Sequence, residues 1–112
     1  MLEEWVLKKR KIEASKDNLK GIDLCNAKLM GAKLDGADLS QADLSSAYLI
    51  KADLSKASLA GADLTGAVLS EANLSYVNLD GAELMDTYLH GANLKGAVHL
   101  TCDQIELANF DK

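Results

Sequence analysis

Proline is absent from this sequence, and aromatic residues are scarce: one tryptophan, three tyrosines and one phenylalanine among 112 residues. With no proline and no Ser- or Gly-rich stretch, nothing marks a linker between two domains, and one domain is expected. Cysteine and histidine occur only twice each. Cys25 and Cys102 stand at opposite ends of the repeat array, too far apart for a disulfide if the intervening residues stack. Neither His90 nor His99 has the spacing of a zinc site or a catalytic triad. No run of eighteen apolar residues is present, which excludes a transmembrane helix on hydropathy. The first twelve residues lack the basic-then-apolar order of a signal peptide, so a soluble, cytoplasmic protein is the expectation.

What is present is a period of five. A leucine recurs without a miss at Leu19, Leu24, Leu29, Leu34, Leu39, Leu44, Leu49, Leu54, Leu59, Leu64, Leu69, Leu74, Leu79, Leu84, Leu89 and Leu94. Two residues before almost every one sits a small apolar residue, as at Ala27, Ala32, Ala37, Ala42 and Ala47. Between the two stands most often Asp or Asn, as at Asp38, Asp43, Asp53, Asp63, Asn73 and Asn93. On an α-helix a five-residue spacing would spread the leucines over every face, and a strand's period of two does not fit either. A short extended piece followed by a bend, repeated, does fit. Residues i and i−2 then share a face, so Ala and Leu point inward and the Asp or Asn between them points outward.

The glycines mark the bends. All eight lie two residues after a repeat leucine, where a sharp turn favours a residue that tolerates positive φ. Gln41, Lys51, Lys56, Glu71 and Tyr76 hold the same place elsewhere, so the bend prefers glycine without requiring it. This pattern resembles the pentapeptide-repeat family, whose unit reads A(D/N)LXX, over sixteen consecutive units. The resemblance implies an all-β solenoid: a right-handed quadrilateral β-helix, four pentads to a coil, about four coils, with leucines filling its centre.

Three segments follow. Residues 17–98 carry the repeat. Residues 1–16 do not, and Leu2, Trp5, Val6 and Ile12 can share one helical face; a capping helix with Trp5 as its main plug is expected, since a solenoid's first coil needs cover. The Lys8-Lys9-Arg10-Lys11 run reads as a solvated helix face, flanked by Glu3, Glu4 and Glu13. Residues 99–112 form a C-terminal cap. Thr101-Cys102-Asp103-Gln104 matches a capping box, which favours a helix from Cys102 to Asn109 with Ile105 and Phe110 over the last coil. A rephased coil centred on Leu100, Ile105 and Phe110 is the competing reading.

If four pentads close a coil, residues twenty apart stack into outer walls. One column is acidic throughout: Asp23, Asp43, Asp63 and Glu83. The next holds Lys28, Tyr48, Val68 and Tyr88, followed past the leucines by Met30, Ile50, Ser70 and His90. Tyr48, Val68, Tyr88, Ile50 and Met30 thus occupy positions where the repeat usually places a polar residue. Contiguous exposed apolar area suggests a contact surface, although strand preference and comfortable stacking also place such residues there. The acidic column would repel by about 0.9 kcal/mol per neighbouring pair in bulk water, and less in salt. That is tolerable, so the column needs no function to exist; repeat consensus and a functional acidic face both account for it. Lys51 and Glu71 also stack, as a candidate exposed ion pair worth little.

Function is therefore expected at the outer walls. The serines of the repeat (Ser40, Ser45, Ser55, Ser70, Ser75) are turn residues, the glycines open no phosphate-binding helix, and leucines fill the axis where a pocket would lie. The expectation is a non-enzymatic rod without cofactor or metal that contacts another protein or a second copy of itself, and binds neither nucleic acid nor membrane. The resemblance implies an alternative: quinolone-resistance members are acidic rods that resemble a DNA duplex and bind DNA gyrase. Beyond residue 20 this chain has thirteen acidic and six basic residues, a net of −7. DNA carries one charge per about 1.7 Å of axis, much denser than this wall. A rod without any specific partner is the third possibility.

Overall fold

Each pentad closes a turn on itself. The Ala27 N–H donates to the Leu24 carbonyl at 3.0 Å, and Ala32 to Leu29 and Ala37 to Leu34 do the same. The third residue of each such turn has positive φ, as a type II turn requires. Glycines take it at Gly31 (66°) and Gly91 (72°), but so do Gln41 (59°), Lys51 (61°), Lys56 (61°), Glu71 (60°) and Tyr76 (58°). The bend is thus left-handed whatever the side chain, and glycine only relieves its cost.

Between turns the backbone pairs with the chain twenty residues away. A computed structural model describes residues 2–99, Thr101 and Gln104. Within them parallel bridges run Asp23–Asp43–Asp63–Glu83, Lys28–Tyr48–Val68–Tyr88, Lys33–Asp53–Asn73–Asn93 and Asp38–Ser58–Asn78–Val98. Twenty residues therefore return the backbone to the same side. In each bridge the outward residue bonds on both sides of its partner: Asp43 N–H reaches the Ile22 carbonyl at 2.9 Å, and Leu24 N–H reaches the Asp43 carbonyl at 2.7 Å. The pairing is confined to isolated bridges, so each side contributes one paired residue per coil rather than a strand.

The alternation puts leucines and alanines inside. Leu34, Leu39, Leu44, Leu49, Leu54, Leu59 and Leu64 are completely buried, and Leu24, Leu29, Leu69, Leu74, Leu79, Leu84 and Leu89 nearly so. Leu94 is only half-buried, because nothing described stacks over the far side of its coil. Val77 and Thr87 replace alanines and are buried. The Thr87 hydroxyl, which would otherwise be an unsatisfied polar group in the core, donates to the Leu64 carbonyl at 2.6 Å. At His99, due to be an inward leucine, φ is 62° instead, and the repeat's phase breaks there.

Helix α1 (Glu4–Glu13) and a 3₁₀ turn (Lys16–Asn18) cover the first coil. Glu4 in the first turn and Arg10 and Lys11 in the last suit the helix dipole. Ile12, not Trp5, is the buried residue of this helix. Trp5 stays half-buried, with the Lys9 ammonium 5.5 Å from its ring centroid. The reason is that polar contacts fix the helix's rotation. Lys9 Nζ donates to the Met30 carbonyl at 3.1 Å, and Glu13 Oε2 accepts the Lys33 N–H at 2.7 Å. At the other end Thr101 and Gln104 make the reciprocal bonds of the capping box, at 2.6 and 3.2 Å. Gln104 Nε2 also donates to the Leu79 and Ala82 carbonyls at 2.9 and 2.8 Å. The choice between a helix over Cys102–Asn109 and a rephased coil falls on residues outside those described, as does Cys102.

Candidate functional site

The repeat places three of the five candidate apolar residues in one column. Tyr48, Val68 and Tyr88 are joined by consecutive parallel bridges, about 4.8 Å apart. The two tyrosines are 43% and 44% exposed, while Val68 between them is half-buried. Met30 and Ile50 share the adjoining bend one coil apart, linked by the Gly31 N–H to the Ile50 carbonyl at 2.9 Å. Both are half-buried rather than fully outward, since bend residues lie along the rod's surface. Lys28 begins the column and His90 ends the bend, both exposed. The wall is thus two exposed phenol rings on an aliphatic bed, with a polar residue at each end.

The acidic column has a local cause. Asp43 Oδ1 accepts both the N–H and the hydroxyl of Ser45, at 3.0 and 2.6 Å. Asp23 accepts the Cys25 N–H and Asp63 the Thr65 N–H, each at 3.0 Å. On other sides Asn73, Asn78 and Asn93 accept from the residue two ahead in the same way. An Asx side chain here pins the start of the following bend, and the amide serves as well as the carboxylate. The hydrogen bonds from Ser45 and Ser40 hold the carboxyls of Asp43 and Asp38 below the usual value. Glu83, one methylene longer, makes no such bond among the described residues.

Other surface features were less legible. Tyr76, 53% exposed, lies against Gly96 in the next coil, so close that a Cβ on Gly96 would run into its ring. Its signal was an aromatic at a turn position with a glycine twenty residues later. Lys51 and Glu71 do not pair. The ion pair among the described residues is Lys16–Asp35 at 2.9 Å, because stacked backbones do not oblige two long, solvated side chains to meet. A groove of about 440 Å³ opens between α1 and the first coil, bordered by Trp5, Lys9, Asp23, Cys25 and Lys28. Among the described residues no cluster of three or more His, Cys, Asp or Glu side chains could hold a metal ion, and no helix is long and apolar enough to cross a membrane.

Comparison with known proteins places this repeat. The family profile described as pentapeptide repeats matches residues 18–45, 47–84 and 62–98, in eight copies. No curated protein sequence matches the chain. Among solved structures, a pentapeptide repeat protein from Nostoc PCC 7120 is 38% identical, over 82% of this chain and 73% of that one, with a TM-score of 0.40. A pentapeptide repeat protein of the Arabidopsis thaliana thylakoid lumen is 32% identical, over 78% of this chain and 66% of that one, with a TM-score of 0.42. HetL, from Nostoc sp. strain PCC 7120 and involved in heterocyst differentiation regulation, is 34% identical over 76% of this chain, which spans 52% of its length, with a TM-score of 0.35.

Proposed function

The chain belongs to the pentapeptide-repeat family, and on that premise we propose that it acts without catalysis, as a rigid rod whose outer wall binds another protein. The four bridge columns support the family's right-handed quadrilateral β-helix, and sixteen pentads at four per coil make about four coils. Residues 1–16 and 99–112 are its caps and residues 17–98 its body. The observation that carries the reading is the exposed pair Tyr48 and Tyr88 over Val68. Tyrosine offers large, rigid contact area at low entropic cost, with a hydroxyl left to hydrogen-bond at the rim. The rod presents these rings on bridged backbone, so little ordering is needed on contact. The proposed setting is the cytoplasm, with a foreign protein or a second copy as partner.

The acidic, DNA-mimicking reading ranks second. Its support is the unbroken carboxylate column, but three of the four carboxylates already hold turns, and neutral asparagine does that work on neighbouring sides. A bare structural rod ranks third; it accounts for two exposed tyrosines on one wall only through strand preference and stacking.

The test is affinity capture from the source organism's lysate, with ultracentrifugation in parallel. Wild type is compared with the variant Tyr48→Ser, Val68→Ser, Tyr88→Ser. A partner, or a self-associated species, found with wild type and lost with the variant supports the wall. Equal recovery by both, or no specific recovery by either, overturns it.

A further inference from the structure

Among the described residues, the backbone of the first coil's lower rim is paired on two of its four sides and unpaired on the other two. In later coils each outward residue sends its N–H down to the coil beneath: Asp43 to Ile22, Tyr48 to Ala27, Asp53 to Ala32, Ser58 to Ala37. The first coil has no coil below it. Its Lys33 N–H is taken by Glu13 Oε2, and its Asp38 N–H by the Lys16 carbonyl at 3.0 Å. The Asp23 and Lys28 N–H groups, equivalent by the repeat, meet no acceptor among the described residues. Among the described residues the carbonyls of Asp23, Cys25 and Lys28 likewise meet no donor, although their counterparts Asp43, Ser45 and Tyr48 each accept a bond from the coil below. The residues that carry these groups, Asp23, Cys25 and Lys28, line the groove of about 440 Å³ between the rim and α1, a volume within the range of ligand sites.

We propose that this open rim binds an extended peptide of another protein, which adds one partial coil by parallel backbone pairing along the sides of Asp23 and Lys28. An unpaired sheet edge is a template for a strand, and the periodic bonds above it dictate the pattern. The peptide carbonyls would accept from Asp23 and Lys28, and its amides would donate to the carbonyls of Asp23, Cys25 and Lys28. The groove selects its side chains. Leu24 and Leu29 are already buried beneath the helix, so the peptide's inward residues must be small. Lining charges of both signs, Glu3, Glu4 and Asp23 with Lys8, Lys9 and Lys28, favour a peptide of low net charge. A second copy's rod fits poorly, since its own inward residues are leucines.

The test uses the full chain and a synthetic peptide with the sequence of residues 41–50, carrying Leu44→Ala and Leu49→Ala, blocked at both ends. Amide hydrogen exchange is followed by NMR. At a peptide concentration near ten times Kd, exchange at Asp23 and Lys28 should slow about tenfold. Lys33 and Asp38, already bonded, should not change. The same peptide N-methylated at alternate backbone amides should give no protection. Absence of protection at Asp23 and Lys28, uniform protection over the whole chain, or equal binding of the N-methylated peptide would overturn the proposal. None of these outcomes depends on the tyrosine wall, so the two readings fail separately.

Discussion

The Glu13 carboxylate accepts the Lys33 N–H at 2.7 Å, in the place where later coils supply a carbonyl, as Ala32 does for Asp53 at 2.9 Å. A side chain from the capping helix thus substitutes for the backbone of a missing coil. Glu13→Ala should therefore destabilise the protein by about 1 kcal/mol, read as a lower denaturant midpoint at unchanged slope. Glu13→Gln keeps an acceptor and should lose less. Equal stability of Glu13→Ala and wild type would show that the bond does not hold the cap.

The turn-capping aspartates give a pH dependence. Hydrogen bonds from Ser45 and Ser40 lower the folded-state values of Asp43 and Asp38 below the ordinary 3.8. A lowered carboxyl stabilises the fold above its unfolded value and loses that contribution as pH falls through the folded one. Thermal midpoints should hold above that ordinary value and decline below it. Asp38→Asn with Asp43→Asn should keep the fold, as Asn73 does in the same role, and flatten that decline. An unchanged slope in the double variant would mean that other carboxyls set it.

Tyr76 and Gly96 are coupled by contact. Gly96→Ala adds a Cβ against the Tyr76 ring at a φ of 72°, and should cost about 1 kcal/mol or more. In a Tyr76→Ala background only the backbone part of that cost should remain. A double-mutant cycle should then give a coupling of about 0.5 kcal/mol or more. Additivity within error would place the ring elsewhere.

The repeat was legible because one local event, an inward Ala and Leu followed by a left-handed bend, recurs with the same spacing and fixes both the turns and the twenty-residue register. The columns followed from that register alone. The rotation of α1 did not, because it is set by Lys9 on the Met30 carbonyl and Glu13 on the Lys33 amide, and neither partner lies near in sequence. That is why Ile12 rather than Trp5 is buried. The Tyr76–Gly96 contact becomes visible only when the register is applied to the bends as well as the walls. Met30, Ile50 and Val68 are half-buried, since stacking covers part of every outward side chain. The structural use of the acidic column could be read only by noticing that Asn shares its position.

The core rests on inward leucines. Leu54 is completely buried in mid-rod, so Leu54→Ala should cost about 2–5 kcal/mol, and Leu54→Asp, which buries a carboxylate without a partner, should unfold the protein. Circular dichroism and a thermal melt measure both. A Leu54→Asp protein that keeps wild-type spectrum and midpoint would contradict the inward-leucine core.

The most direct test of the tyrosine wall sets it against the acidic column. The partner recovered with wild-type protein is titrated against three chains at low and moderate salt. These are wild type, the Tyr48→Ser, Val68→Ser, Tyr88→Ser variant, and an Asp43→Asn, Asp63→Asn variant that keeps its turn acceptors. The expected result is binding lost in the first variant, retained in the second, and little altered by salt. Binding retained without the tyrosines, lost with the asparagines and weakened steeply by salt would contradict the account and assign the contact to the carboxylates.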